Sequence, residues 1–144
     1  MTYSQPTIFE IMAAAISHEL KDEETWFLGL ATGEETIQLL SRVPLAGMAL
    51  AQYTHAPNST MMVSGSVFNP CVGETPTALE SEFGDSIRDW RCEMYSTMSP
   101  ILFEVVHTRG EIDLGFSSVA QVDKYGNCNI VCIGDYQKPK VRLI

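Results

Sequence analysis

Two places in this chain set polar residues at the end of an apolar run. The first is Ser64-Gly65-Ser66, which follows Thr60-Met61-Met62-Val63. Ligands of open α/β sheets bind outside the carboxyl ends of the strands, so a serine there invites a nucleophile reading. The nucleophile elbow needs G-x-S-x-G ahead of a helix, and this stretch offers only V-S-G-S. Gly65 therefore reads as a residue that lets the backbone turn or come close to a ligand. The second place is Asp123-Lys124-Tyr125-Gly126-Asn127, between two short apolar runs. Asx hydrogen bonding followed by a glycine at positive φ would explain it as a turn. That leaves unexplained Gln121 and a second polar turn, Gly134-Asp135-Tyr136-Gln137-Lys138-Pro139.

Other chemistry has less to stand on. His18, His55 and His107 lie outside any HExxH or His-x-His cluster, so no metal is expected. His55 sits at a helix end beside Pro57, within reach of helix carbonyls. The cysteines, at 71, 92, 128 and 132, form no CxxC pair. Cys128 and Cys132 share a strand parity and read as buried small hydrophobes. No GxGxxG or Walker sequence is present. The net charge of −9 repels nucleic acid and anionic membrane on average. Residues 74–93 are acidic, which reads as a solvated face, whereas Lys138, Lys140 and Arg142 make the chain's end basic.

The elements that must position these residues follow from periodicity. Thr7-x-x-Glu10 is a capping box, and Ile8, Ile11, Met12, Ala15 and Ile16 follow at helical spacing, which predicts a helix over about 7–20. Thr25–Leu30 is continuously apolar and reads as a strand buried on both faces. Residues 31–42 fit a short helix. Pro44 opens another, with Leu45, Met48, Ala49 and Tyr53 on its apolar face, and 55–58 stop it. Residues 60–63 read as a second buried strand and 67–84 as loop. Ser99-Pro100 starts a helix running to Gly110, Ile112–Phe116 is a third strand, and 119–122 and 129–133 are extended. Strands alternating with helices indicate an α/β fold with an open, mostly parallel sheet flanked by helices, in one domain over 1–144. No apolar run approaches the ~20 residues of a membrane span. The first residues lack a basic n-region and carry Glu10 and Glu19 among their apolar positions, so the chain reads as cytoplasmic. Its stop at Ile144, after a turn and a new apolar start, is expected of a chain that continues or is completed by a partner.

The run Ala120-Gln121-Val122-Asp123-Lys124-Tyr125-Gly126-Asn127-Cys128-Asn129 resembles the "AQ-hydrophobic-D-x-YGN-x-N" signature of family I coenzyme A transferase β subunits. Ile133-Gly134-Asp135-Tyr136-Gln137-Lys138-Pro139-Lys140 continues it and is similar to the glutaconate CoA-transferase branch of those β subunits. Upstream, 43–47 and Tyr53-Thr54-His55-Ala56-Pro57-Asn58 match that family's helix and its "APD/APN" turn, with extra residues around 32–42.

The resemblance implies the CoA-transferase α/β architecture and an α–β subunit pair with the active site between the two. It implies a coenzyme A thioester as substrate, with no permanently bound cofactor. In that chemistry a glutamate carboxylate attacks the acyl-CoA, expelling CoA thiolate and leaving a mixed anhydride. The thiolate then attacks the enzyme carboxyl, releasing the acid and forming a glutamyl-CoA thioester. The family's glutamate stands at the end of the second strand, in V-E-S-G or S-E-N-G; here that place reads Val63-Ser64-Gly65-Ser66. The resemblance thus assigns no certain catalytic residue. It implies that Ser64 and Gly65 line the site, and that Gln121, Asp123 and Asn127 orient substrate or brace strand ends. Lys138 and Lys140 would meet the phosphates of CoA. It also implies that the C-terminal part of the family fold is missing here. Three functions remain open: CoA transfer between carboxylic acids, CoA-thioester or ring-opening C–C hydrolysis with the catalytic carboxylate on the α subunit, and a non-catalytic partner subunit.

Overall fold

The structure, a computed structural model, describes residues 5–29, 38–74, 90–96, 109–117 and 119–143. Helix α1 spans Ile8–Glu19 and begins with the expected capping box. The Thr7 hydroxyl accepts the Glu10 N–H at 3.3 Å, and the Glu10 carboxylate accepts the Thr7 N–H at 2.6 Å. Two amides left free by the helix start are thereby satisfied. Strand β1 (Thr25–Leu28) follows. A short π-helical turn, Gln38–Arg42, leads into α2 (Val43–Thr54). Pro44 sits in the first turn of α2, where a missing N–H costs nothing.

Strands β2 (Thr60–Val63), β3 (Val67–Pro70), β4 (Cys92–Tyr95) and β5 (Leu114–Phe116) join β1 in one sheet of order β4-β3-β2-β1-β5. β1 pairs parallel with β2 and β5, while β3 runs antiparallel to β2 and β4 to β3. Reversed twice, β4 points the way β2 does, so only β3 runs against the other strands of this sheet. The α/β fold with a mostly parallel sheet is therefore as expected, with an antiparallel excursion at one side.

The core lies on the helix-covered face. Trp26 pairs with Met61 and Leu114, and Leu28 with Val63 and Phe116, so these side chains share a face. Leu45, Met48 and Ala51 of α2 complete the cluster. α1 packs closely on α2 because Gly47 has no side chain. A Cβ there would lie 2.7 Å from Ile16 Cγ2 and 2.9 Å from the Ala13 carbonyl oxygen.

Several expectations need correcting. Thr25 and Phe27 are only half-buried, so β1 is sealed on one face and partly open on the other. Tyr53 is exposed and so stands outside the apolar face of α2. Residues 67–70 are strand rather than loop, because the tight turn at 64–66 folds them back onto β2; Val72–Glu74 form a single 3₁₀ turn. The helix expected over 99–110 lies almost wholly outside the described residues, as do 31–37 and 75–84.

Residues 119–143 form two small hairpins. One pairs β6 (Gln121–Val122) with β7 (Cys128–Asn129), the other β8 (Cys132–Gly134) with β9 (Pro139–Arg142). Cys128 is exposed and Cys132 buried, contrary to the shared-parity reading. Asn129 breaks the parity: its Oδ1 accepts the Val131 and Cys132 N–H groups, bending the chain between β7 and β8. Among the described residues no helix is long and apolar enough to cross a membrane.

The α1–α2 contact gives a first prediction. Gly47→Val should destabilise the fold by about 1–3 kcal/mol, the usual cost of overpacking. Gly47→Ala should cost less, since alanine regains about 1 kcal/mol of helix propensity. Urea unfolding followed by circular dichroism measures both. Unchanged midpoints would mean that α1 moves aside freely.

Candidate functional site

The ladder between β1 and β2 runs one residue beyond the strands, because the Ser64 N–H donates to the Leu28 carbonyl at 2.9 Å. There the chain reverses. Ser64 and Gly65 have φ of 54° and 71°, and the Ser66 N–H closes the turn on the Val63 carbonyl at 3.1 Å. Positive φ at both central residues is the type I′ signature, whose twist suits an antiparallel pair. Glycine takes this conformation freely, but for serine it costs on the order of 1 kcal/mol and persists only where the surroundings hold it. Ser64 is held by the Leu28 carbonyl and is buried, with 5% of its surface exposed. The strand end that sequence singled out is thus a constrained turn that fixes the serine backbone at the carboxyl edge of the sheet.

Polar side chains hold the β2–β3 pair together at the end away from this turn. Asn69 lies in β3 at φ 45°. Its Oδ1 accepts the Met61 N–H at 2.8 Å and the Gln52 side-chain N–H at 3.1 Å. Its Nδ2 donates to Glu93 at 2.7 Å, and Gln52 also donates to the Ser59 carbonyl at 2.9 Å. β2, β3, β4 and α2 are thereby stitched together around one asparagine. Sequence reading missed Asn69 and Gln52; an asparagine beside Pro70 reads simply as loop.

Next to the turn a cleft of ≈ 400 Å³ opens at the carboxyl ends of β1 and β5. Phe27 of β1 and Phe116 of β5 line it, with Gly29 and Ser117 just past the ends of those strands. Ile16 of α1 closes one side, and Leu39, Leu40 and Pro44 close the other. Gly29 directly follows Leu28, whose carbonyl holds Ser64, so the cleft adjoins the Ser64 turn. None of the side chains just named is charged.

Gln121, Asp123 and Asn127 come together in the β6–β7 hairpin. The Asp123 carboxylate accepts the Tyr125 N–H at 2.8 Å, the Asn127 N–H at 2.9 Å and the Asn127 side-chain amide at 2.7 Å. Gly126, at φ 84°, lets the chain turn beneath it. Gln121 accepts from the Asn129 amide at 2.8 Å, and that amide also donates to the Cys132 carbonyl. These contacts brace the loop and its junction with β8. Among the described residues no hydrogen bond joins this hairpin to the Ser64 turn. Lys138 and Lys140 sit exposed around the start of β9, in the other hairpin. The Lys138 backbone N–H donates to Asp135.

The "APN" turn is structural as well. His55 Nε2 lies 3.0 Å from the Leu20 carbonyl oxygen, and Asn58 donates its backbone and side-chain N–H groups to Asp22 at 2.7 and 2.9 Å. The end of α2 is thereby pinned to the end of α1. The Asn58 side chain is the main cause holding the Asp22 carboxyl below its usual range. Among the described residues no group of three or more metal-ligating side chains converges.

The Asp123 loop gives a pH prediction. Hydrogen bonds from the Asn127 side chain first, then from backbone N–H groups, hold its carboxyl below the ordinary value of 3.8. A depressed carboxyl stabilises the folded loop fully above 3.8 and loses that effect as pH falls through the lowered value. The Tyr125 and Asn127 amide signals should therefore titrate with a midpoint below 3.8. Asp123→Ala should abolish this titration and loosen both amides at neutral pH. A midpoint at or above 3.8, followed by NMR, would contradict the bonding described.

Comparison with known proteins agrees with the signature at 120–139. No protein-family model matches the chain. It is 32% identical over 136 residues to the β subunit of 3-oxoadipate CoA-transferase from Pseudomonas knackmussii, covering 93% of this chain and 45% of that one. It is 27% identical to the β subunit of glutaconate CoA-transferase from Acidaminococcus fermentans, covering 98% and 48%. Among solved structures, the decarboxylase AibA/AibB superposes with a TM-score of 0.72 at 26% identity, over 96% of this chain and 51% of that one. Glutaconate coenzyme A-transferase from Acidaminococcus fermentans gives 0.65 at 25% identity, over 98% and 50%. The chain spans about half the length of the curated relatives it matches. By sequence and by fold, the chain is similar to the β subunits of CoA-transferases, and it aligns with about half of one such polypeptide.

Proposed function

We propose that the chain works as part of a β-type subunit in a CoA-transferase-family heteromer, on an acyl-CoA thioester bound at the carboxyl ends of β1 and β2. The observation that carries this reading is the Ser64 turn: a constrained, buried strand end in a chain whose relatives are CoA-transferase β subunits. The fixed backbone of Ser64 and Gly65 lines the site, and an α-type subunit supplies the facing wall. The Gln121–Asn127 hairpin shapes its own loop rather than reacting. Lys138 and Lys140, both exposed, are the residues we assign to the phosphates of CoA.

The side chain at 64 decides what chemistry is left to this chain. Transfer through a glutamyl thioester needs a carboxylate that can accept an acyl group and then the CoA thiolate. A serine hydroxyl offers no carboxyl carbon for the thiolate to attack. CoA transfer by that route therefore requires a carboxylate from outside the Ser64 turn. The same serine favours a second reading, in which a carboxylate of the α-type subunit acts as general base for CoA-thioester or ring-opening hydrolysis. A decarboxylase shares this fold, so the architecture is not tied to CoA transfer.

Co-expression with an α-type CoA-transferase subunit tests the assembly, and a single co-eluting species is expected. The purified complex is then given acyl-CoA with and without acetate. Thioester loss independent of acetate supports the hydrolytic reading. Acetate-dependent CoA exchange, with hydroxylamine trapping a glutamyl thioester on this chain, defeats it. Absence of both a complex and turnover points to a non-catalytic role. In the same assay Ser64→Glu should introduce acetate-dependent exchange where the parent shows none.

A further inference from the structure

We infer that the face of the β8–β9 ribbon carrying Tyr136, Lys140 and Arg142 binds an adenine nucleotide, the adenosine-phosphate end of coenzyme A. The base stacks on the Tyr136 ring, and the phosphates meet Lys140 and Arg142. This rests on the acyl-CoA reading above and adds to it a platform for the base.

The ribbon has two unlike faces, and its pairing tells them apart. Directly opposed residues of an antiparallel pair share a face. Ile133 pairs with Val141, and the Leu143 N–H donates to the Val131 carbonyl at 2.9 Å, so these apolar residues lie on one side. Arg142 pairs with Cys132 and lies on the other. Lys140 and Arg142 flank Val141 in β9, so both point away from the apolar side. Lys140 is also the extra residue of a bulge, because Gly134 pairs with Pro139 while Ile133 pairs with Val141. Gly134, at φ 95°, gives it room: a Cβ there would lie 3.4 Å from Lys140 Cγ and 3.3 Å from its backbone nitrogen. Bulges re-aim side chains and are over-represented beside functional sites. Tyr136 joins from the loop, since the Arg142 guanidinium carbon stands 5.5 Å from the centre of its ring. Tyr136 still exposes 64% of its surface, which leaves ring area for a second planar partner.

The charge is local. The whole chain stands at −9, yet residues 119–143 hold four of its nine cations against two of its eighteen acids. Both acids are occupied by N–H groups. Asp123 accepts them inside its own loop, and Asp135 accepts those of Gln137 and Lys138 at 2.7 and 3.3 Å. Among the described residues no ion pair engages Lys140 or Arg142. Two cations beside an exposed ring suit a ligand that carries phosphates and a flat base together. Bases stack on aromatic side chains, and an arginine over the ring adds cation–π attraction. Coenzyme A carries an adenine and phosphates at one end. An acidic peptide would use the cations and leave the ring idle.

The test is titration of the full chain, with the α-type subunit present in one series and absent in the other. Calorimetry follows both series, and amide signals follow the chain alone. The probes are CoA, adenosine 3′,5′-bisphosphate, pantetheine, inorganic pyrophosphate and a glutamate-rich peptide. CoA and the bisphosphate should move the amide signals of residues 134–142, and pantetheine, which lacks the nucleotide, should not. Tyr136→Ala should weaken the bisphosphate about tenfold and leave pyrophosphate unchanged. Lys140→Ala should weaken both about tenfold. Both side chains are exposed, so neither change threatens the fold. Pyrophosphate binding as tightly as the bisphosphate, or the peptide binding this face more tightly than either, would overturn the nucleotide assignment. CoA binding that neither substitution weakens would also overturn it, and the acyl-CoA reading would stand without this site. Binding of neither CoA nor the bisphosphate in either series would overturn both.

Discussion

Leu28 and Val63 end side by side because β1 and β2 pair parallel and in register from Thr25 and Thr60 onward. That register does two jobs. On one face it stacks Trp26 on Met61 and Leu28 on Val63, giving α2 a flat apolar surface to cover. At the carboxyl edge it delivers the Leu28 carbonyl to the Ser64 N–H, which starts the reversal into β3. A slip of one residue would turn Trp26 out of the core and move the reversal away from the cleft. Core packing and site geometry are therefore set by the same few hydrogen bonds.

Around this edge the molecule divides its polar groups by task. Asn69 and Gln52 satisfy backbone groups that the shortened β2–β3 ladder leaves over. Asp123 and Asn127 use their capacity inside their own loop. Asp22, Asn58 and His55 tie two helix ends together. Among the described residues, these polar side chains are spent on the fold itself. This accounts for a long, legible signature at 120–139 that says more about family than about reaction: its side chains make the loop's shape.

The sequence spoke most clearly where a single residue type has a single physical use. The Thr7 capping box, Pro44 in the first turn of α2, and the stop at 55–58 can all be read directly. So can the parallel strands, as short apolar runs between helical patterns. Less legible are features that depend on distant partners. Val67–Pro70 carries an asparagine and a proline and has no strand signature; it is a strand because the 64–66 turn presents it to β2. The cleft is assembled from α1, the 38–42 turn, α2, β1 and β5, and no local window holds it. Parity counting misjudges Cys128 and Cys132 because it assumes one strand, whereas the Asn129 side chain makes two.

The Ser64 turn also has an evolutionary reading. Its shape is written in backbone: two positive φ values, the Leu28 carbonyl and the Val63 carbonyl that closes it. The side chain at 64 contributes little to that shape. The position is thus a socket, in which one substitution exchanges the reactive group while the architecture stays in place. A chain can thus keep the outline it shares with CoA-transferase β subunits whichever side chain stands at 64.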